Sequence, residues 1–368
     1  MKIPTRTSAP DYVFIALLFV IVIFGLVMLS SASSDLGKTQ YSNSYYFIEH
    51  QLFRGLSIGI VGFFVGVFLY YRRLERFSLP LLGLSIVLLL LVFTEFGSPA
   101  KGSERWLALG PITFQPGEIL KLTFFVYLAA WMSKKYARHK NFLEGMVPFL
   151  IITGVIMAIL FLQPSTTIAV LIFLAAAATY FMAGVPVRYL IFSGIAVAIA
   201  VGLLIAATPY RLARVKTFLN PKSADQLNEG YHINQALIAI GSGGLTGVGF
   251  GQSTTKLKFL PEPIGDSIFA VIAEELGFVG AMSFIIVFLL FLWRGFEIAK
   301  KAPDNFGRLL ATGFMCVLGF QAFVNIAAIS GILPLTGMPL PFVSYGGTAL
   351  AVFLTMSGIV VNVSRYRR

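Results

Sequence analysis

The chain is constrained above all by a series of about ten apolar segments, each long enough to cross a lipid bilayer as a helix. A helix rises ~1.5 Å per residue, so about 20 residues cross the ~30 Å hydrocarbon core. Charged residues make up only 12% of the 368 residues, too few to cover a soluble protein of this size. The sequence therefore predicts an all-α polytopic membrane protein with one membrane domain over residues 1–368. The predicted spans lie at about 12–30, 52–70, 78–94, 117–133, 146–162, 166–183, 187–208, 267–293, 308–329 and 344–363.

The positions of lysine and arginine orient these spans. Most of the 28 basic residues fall in segments that are internal if the amino terminus is cytoplasmic. The positive-inside rule therefore predicts cytoplasmic termini and a long extracytoplasmic loop at about 209–266. The net charge of +12 follows from this topology, and no nucleic-acid partner is expected.

The most informative stretch of the sequence runs from Gly241 to Gly280. A glycine-rich loop, GSGGLTGVGFG, precedes two outer carboxylates, Glu262 and Asp266, and an apolar helix begins at Ser267. The loop could form a nest of N–H groups for an anion, or a flexible hinge. An Asp just before a helix is often an N-cap, so its position alone does not establish catalysis. Asp266 is the first candidate for a catalytic carboxylate, and Glu262 is its competitor.

Basic residues on the outer loops are candidates for binding phosphate. They either form a basic basin for a phosphate-bearing lipid headgroup or are placed there by chance, because long loops follow the positive-inside rule poorly. Arg105, beside Trp106 on the earlier outer loop, could anchor the interface or clamp a phosphate. The candidates on the long loop are Arg211, Arg214, Lys216, Lys222, Lys256 and Lys258.

Two pairs of ionisable residues lie within predicted spans. Glu118 and Lys121 are three residues apart and share a helix face, so they can pair as structural glue or line a substrate cavity. Glu274 and Glu275 are adjacent and point about 100° apart on a helix. At least one of these two glutamates must therefore face a cavity, a cation or another helix.

Several chemistries have no motif in this sequence. It contains no Walker loop, HExxH, GxSxG or cysteine cluster, and its three histidines are scattered. A nucleotide cofactor and a multi-histidine metal centre are therefore not expected. A divalent cation, Mg²⁺ or Mn²⁺, held by Asp266 or Glu262 stays open.

Five motifs in the same order resemble the SEDS family (shape, elongation, division and sporulation) of peptidoglycan glycosyltransferases. They are KGSERWLALG, FQPGEILK, GYHINQALIAIGSGGLTGVGFGQ, FLPEPIGDSIFAVIAEELG and PLPFVSYGGTAL. The spacing between the third and fourth motifs, and the ending SGIVVNVSRY, look more like the FtsW branch than the RodA branch.

This resemblance implies polymerisation of lipid II at the outer face of the bacterial cytoplasmic membrane. A GlcNAc 4-hydroxyl would attack C1 of a MurNAc bearing undecaprenyl pyrophosphate, with inversion, and Asp266 would be the general base. The resemblance also implies a class B penicillin-binding protein as partner and makes four further residues candidates for the cavity: Arg105, Glu118, Lys121 and Ser344.

Two positions depart from the family pattern. Ser165 stands where relatives commonly have the Asp of a QPD turn, and Gly265 and Ser267 flank Asp266 in place of Thr and Phe. Two rival hypotheses stay open. One is a flippase for the lipid-linked precursor, which the pair of Glu118 and Lys121 and a headgroup cavity would serve equally well. The other is a scaffold that has lost activity, because the QPD carboxylate is missing.

Overall fold

The structure is a computed structural model that describes residues 8–100, 103–110, 112–134, 141–163, 165–219, 229–257 and 259–366. Within these residues the chain forms thirteen α-helices and one small sheet. The helices are α1 (Tyr12–Tyr41), α2 (Tyr46–His50), α3 (Ser57–Phe68), α4 (Arg72–Leu91), α5 (Pro116–Lys134), α6 (Val147–Leu162), α7 (Thr166–Met182), α8 (Val187–Ala207), α9 (Pro209–Leu219), α10 (Glu229–Ser242), α11 (Ile268–Lys300), α12 (Asn305–Ile329) and α13 (Gly347–Ser364). Single π-helical segments, Gln51–Leu56 and Phe142–Met146, join α2 to α3 and lead into α6.

Each predicted apolar span coincides with a helix, which confirms the polytopic all-α architecture. Among the described residues, eight helical segments are long and apolar enough to cross a membrane. The two remaining predicted spans are α7, which has 17 residues, and α5, which carries Glu118 and Lys121. The number of helices that cross the bilayer stays a prediction.

A three-stranded antiparallel sheet occupies the predicted outer loop before α5, and the sequence analysis missed it. Its strands are β1 (Gly97–Ala100), β2 (Ser103–Leu109) and β3 (Ile112–Phe114), in that order. Leu107 is buried and pairs with both neighbouring strands. The strands are too short for their alternating pattern to stand out among longer apolar segments.

The first and last described residues of the chain lie at one end of the bundle, here called the terminal end. The Ser8 amide donates to the Arg365 carbonyl at 2.7 Å, and Arg294 pairs with Asp11 at 2.8 Å. The opposite end, called the loop end, carries the sheet, α9, α10 and the segment between α10 and α11. Termini at the same end agree with an even number of membrane crossings.

The centre of the bundle is built from α12 and α13. Within an apolar 18-residue stretch of each helix, 72% of the residues are buried in α12 and 78% in α13, whereas only 6% are buried in α8. Glycines allow α3 to approach α13 closely, because a Cβ at Gly66 or Gly358 would collide with the facing backbone. Small residues at such contacts are typical of helix packing in membranes. These two largely buried helices thus form the centre of the bundle, while α8 leaves its apolar surface for lipid.

Candidate active site

Asp266 lies in the turn Pro261–Ser267 that leads into α11. Ser267 occupies the N-cap position of α11, so Asp266 is not the N-cap that its sequence position allowed. Asp266 is half-buried, whereas the competing Glu262 is exposed and has a left-handed backbone with φ of 48°. The turn therefore holds Asp266 against the protein and directs Glu262 towards the surface.

Two other elements fix the main chain of this turn. Asn325 on α12 donates from Nδ2 to the Asp266 carbonyl at 2.8 Å. Ser344 Oγ donates to the Gly265 carbonyl at 2.6 Å, and the Tyr345 amide donates to the Ile264 carbonyl at 2.8 Å. The turn is thus bonded to a central helix and to the loop before α13.

The third support comes from α10. Ser267 Oγ donates to the Pro261 carbonyl at 2.8 Å, and its lone pairs face Nε2 of His232 at 2.6 Å. Because the hydroxyl hydrogen is used, the imidazole N–H is the donor in this contact. On the other side, a Cβ at Gly337 would lie 3.9 Å from Asp266 Oδ2, so the carboxylate lies against the loop before α13.

A cavity of about 740 Å³ adjoins this turn. Its apolar lining residues include Ile58, Ile119 and Val352. Its polar or partly polar lining residues include His50, Gln51, Arg54, Trp106 and Tyr345. Asp266 is not itself a lining residue; the turn meets the cavity wall through the bond between Ile264 and Tyr345. A cavity with an apolar and a polar wall suits a lipid-linked sugar.

Tyr345 lies in the wall of the cavity. Its phenol is neutral at physiological pH, because the ordinary pKa of a tyrosine hydroxyl is about 10. A neutral phenol can donate a hydrogen bond to a sugar or phosphate oxygen.

The predicted pair of Glu118 and Lys121 forms inside the bundle. Lys121 Nζ lies 2.6 Å from Glu118 Oε2, and both side chains are almost fully buried. The same ammonium donates to Gln321 Oε1 on α12 at 2.6 Å. Neither residue of the pair lines the cavity, although Ile119 between them does.

Lys256 lies in the protein interior, whereas the sequence predicted an exposed cation at this position. Its ammonium is 2.6 Å from Glu275 Oε1 and 2.9 Å from the Ser31 hydroxyl on α1. Glu274 turns to the other side and accepts from Ser253 Oγ at 2.5 Å and from the Thr254 amide at 3.0 Å. The two adjacent glutamates thus have different partners, as the helix geometry required.

The glycine-rich loop packs into a break in α11. The sequence had suggested either an anion-binding nest or a flexible hinge for this loop. At Gly277 the helix is interrupted, with φ of 67° and ψ of −171°. Val248 N donates to Glu274 O at 3.0 Å, and Phe278 N donates to Gly244 O at 2.9 Å. The loop uses its backbone groups to satisfy a broken helix, so they form neither an anion nest nor a free hinge.

The remaining basic candidates are distributed over different elements. Arg105 lies on β2 beside Trp106, while Arg214 and Lys216 lie on α9. Arg211, also on α9, donates to the Phe161 carbonyl at 3.4 Å. Lys222 and Lys258 lie outside the described residues. Lys256 is committed to Glu275 in the interior, and a basin formed by the other cations stays a prediction.

Sequence reasoning missed three residues that the structure brings to the site. Arg54 and Tyr345 line the cavity, and Asn325 holds the Asp266 turn. Arg54 and Asn325 fall within predicted apolar spans, where a polar side chain is expensive and therefore informative. That criterion had identified Glu118 and Lys121, and it could have identified these two residues as well.

The position of Ser165 shows what replaces the expected carboxylate. The Ser165 hydroxyl donates to the Gln163 carbonyl at 3.1 Å, and Gln163 Nε2 donates to the Leu89 carbonyl at 2.5 Å. Both residues are buried. The turn before α7 is thus held by neutral hydrogen bonds.

The fold and this site define a class of protein: a multi-pass membrane protein with a carboxylate turn and an amphipathic cavity at one end of its helix bundle. A family model described as cell cycle protein, covering FtsW, RodA and SpoVE, matches residues 11–368. The chain belongs to this family, which confirms the resemblance seen in its motifs.

Relatives and solved structures agree with this assignment. The chain is 36% identical to stage V sporulation protein E of Bacillus subtilis and 35% identical to a probable peptidoglycan glycosyltransferase FtsW of a Geobacter species, over 99% of both chains in each case. It superposes with a TM-score of 0.81 and 30% identity on a chain from a structure titled as the coordination of polymerization and crosslinking by a peptidoglycan synthase complex, covering 97% of this chain and 98% of that one. RodA of Thermus thermophilus superposes with a TM-score of 0.71 and 30% sequence identity, covering 98% of this chain and 99% of that one.

Proposed function

We propose that the chain is a peptidoglycan glycosyltransferase that polymerises lipid II at the outer face of the bacterial cytoplasmic membrane. The observation that carries the proposal is the half-buried Asp266, in a turn that three elements hold by hydrogen bonds beside an amphipathic cavity. Relatives named as probable peptidoglycan glycosyltransferases support the substrate class.

In this reaction Asp266 acts as the general base. Its carboxylate takes the proton of the acceptor 4-hydroxyl while that oxygen forms a bond to C1 of the donor sugar. The bond from C1 to the phosphate oxygen breaks on the opposite face, and the diphosphate leaves with the electron pair. A positioned base contributes typically about 10²- to 10⁴-fold to the rate of such a transfer.

The leaving diphosphate needs positive charge, because its own negative charge grows in the transition state. Arg54 in the cavity wall and Arg105, next to the cavity residue Trp106, are candidates for this role. Lys256 is committed to Glu275 and is a poorer candidate.

A divalent ion is a second source of positive charge. Within the described ranges, no group of three or more His, Cys, Asp or Glu side chains could hold a metal. Asp266 or Glu262 could therefore bind Mg²⁺ or Mn²⁺ only if phosphate oxygens complete the coordination shell, and the ion would then neutralise charge on the diphosphate.

The proposed partner is a class B penicillin-binding protein that crosslinks the new strands. Support comes from the similarity to a chain of a synthase complex whose title joins polymerization with crosslinking. The surrounding bilayer supplies the lipid-linked substrate laterally, with both termini of the chain in the cytoplasm.

A polymerisation assay without a bilayer tests this function. The purified protein, alone and with its transpeptidase partner, is incubated with lipid II in detergent micelles, and glycan strands are resolved on a gel. We expect strands whose synthesis needs this protein. A flippase cannot move lipid across a membrane in detergent, and an inactive scaffold catalyses no reaction, so neither would produce strands. A folded complex that makes no strands would contradict the proposal.

A further inference from the structure

Two amides face the interior of the bundle from successive turns of α12. Gln321 and Asn325 are 0% and 2% exposed, in a helix that is otherwise largely apolar. A buried amide needs partners for its N–H and C=O groups, so its contacts show why it is there.

Asn325 uses its amide nitrogen twice at the active-site turn. Nδ2 donates to the Asp266 carbonyl at 2.8 Å and to the Met338 carbonyl at 2.7 Å. Both partners are acceptors, which fixes the orientation of the amide. The Asn325 carbonyl oxygen is buried and receives no hydrogen bond from any described residue.

A second buried asparagine in the same protein shows a different pattern. Asn362 at the terminal end donates to the Val67 carbonyl at 2.5 Å and accepts from the Tyr71 amide at 2.9 Å. Both halves of its amide are satisfied, as expected of a residue retained for stability alone. Asn325 differs in that both of its hydrogen bonds among described residues go to the main chain of Asp266 or of the loop beside the Asp266 carboxylate.

Gln321 extends the contact towards the buried ion pair. Its Oε1 accepts from Lys121 at 2.6 Å, and its Nε2 donates to the Pro339 carbonyl at 2.9 Å. Met338 and Pro339, which receive these two amides, directly follow Gly337, against which the Asp266 carboxylate lies. One face of α12 therefore holds both the main chain of Asp266 and the loop beside its carboxylate.

We propose that Asn325 is the positioning residue of Asp266, joining the catalytic turn to the loop before α13 so that the carboxylate reaches the acceptor hydroxyl. The inference rests on the proposed role of Asp266 as the base. Asn325 touches neither substrate nor the reacting atoms, so its loss should lower kcat and leave the KM for lipid II unchanged. A misplacement of about 1 Å can cost about 10²-fold in rate.

The test compares two matched series of variants. Asn325→Ser keeps one hydroxyl donor and Asn325→Ala keeps none, while Asn362→Ser and Asn362→Ala make the same changes far from the site. Each purified variant is assayed for polymerisation at several lipid II concentrations, with rates normalised to the folded fraction from size-exclusion chromatography. Asp266→Asn is included in the same assay.

We expect kcat to fall about tenfold in Asn325→Ser and about 10²-fold in Asn325→Ala, with KM within about twofold of the wild type. Both Asn362 variants should melt at a lower temperature yet keep the kcat of the wild type. An unchanged kcat in folded Asn325 variants, a loss confined to KM, or an equal loss in the Asn362 series would overturn the inference. Retained activity in Asp266→Asn would instead reject the proposed base.

Discussion

At the scale of single residues, each of the two buried lysines in the described part of the chain pairs with a buried glutamate. Lys121 pairs with Glu118 and Lys256 pairs with Glu275, each at 2.6 Å. An isolated charge in the bilayer centre costs about 2.5–3.5 kcal/mol even on insertion scales, so each pair is needed once one member is present. These residues support the site without lining its cavity.

The pair of Lys256 and Glu275 gives a direct stability prediction. Lys256→Met leaves a buried carboxylate without its cation and should destabilise the fold by about 3–5 kcal/mol. Lys301→Met removes one member of an exposed pair with Glu297 at 3.6 Å and should cost less than about 1 kcal/mol. Thermal melting of both variants in detergent measures the difference. Equal melting temperatures would contradict the burial of Lys256.

These two pairs also show what the sequence can predict about residues. Glu118 and Lys121 are three residues apart on one helix, so their contact follows from helix geometry alone. The partners of Lys256 are Glu275 on α11 and Ser31 on α1, and nothing in its local sequence selects them. Residue spacing can predict contacts within a helix, whereas contacts between helices can be identified only when the packing of the helices is known.

At the scale of elements, the glycine-rich loop and α11 form one unit. The loop donates to the carbonyl oxygens of Glu274 and Glu275 and accepts from the amides of Phe278 and Val279. Each of these groups would otherwise be buried without a partner at the break. The start of α11, which follows Asp266, is therefore held by a segment that precedes it in the chain.

Gly277 is the position on which this unit depends. Its φ of 67° favours glycine, and a Cβ there would collide with the backbone of the glycine-rich loop. Gly277→Ala should therefore destabilise the protein by more than about 1 kcal/mol and reduce polymerisation. Gly154→Ala in α6, where a Cβ meets nothing within 4 Å, should be neutral or stabilise by up to about 1 kcal/mol. Melting curves of the two variants provide the check, and a harmless Gly277→Ala would show that the break is not required.

The element boundaries were partly predictable. The start of the helix after Asp266 was placed at Ser267, and the structure begins α11 at Ile268. The interruption at Gly277 was not predictable, because an isolated glycine is tolerated within a helical pattern and the compensating hydrogen bonds come from a distant loop. The sheet before α5 was missed for a similar reason, since its short strands depend on each other.

At the scale of the whole molecule, the helix bundle separates two ends with different chemistry. The terminal end carries both termini and the pair of Asp11 and Arg294, while the loop end carries Asp266 and the cavity. The sequence predicted this separation from hydropathy and basic residues, because the bilayer imposes both patterns. It could not predict the cavity, which is formed by α3, α5, α13 and the sheet together.

The topology is tested by single cysteines at the two ends. Lys216→Cys on α9 and Lys300→Cys at the end of α11 both place a thiol at an exposed position. An impermeant maleimide should label Lys216→Cys in intact cells and Lys300→Cys only after permeabilisation, because the loop end is predicted to be external. The parent protein gives the background from the native Cys316. The reverse pattern of labelling would contradict the orientation.

The account depends most on Asp266 as the general base. Its most direct test is the rate of lipid II polymerisation by Asp266→Asn in detergent, compared with Glu262→Gln and with Asp35→Asn, a matched change on α1 at the same end of the bundle. We predict that Asp266→Asn lowers the rate by about 10²- to 10⁴-fold, while lipid II binding and the rates of the other two variants stay close to wild type. Polymerisation by Asp266→Asn at the wild-type rate would contradict the account, and a loss confined to Glu262→Gln would transfer the role of base to that residue.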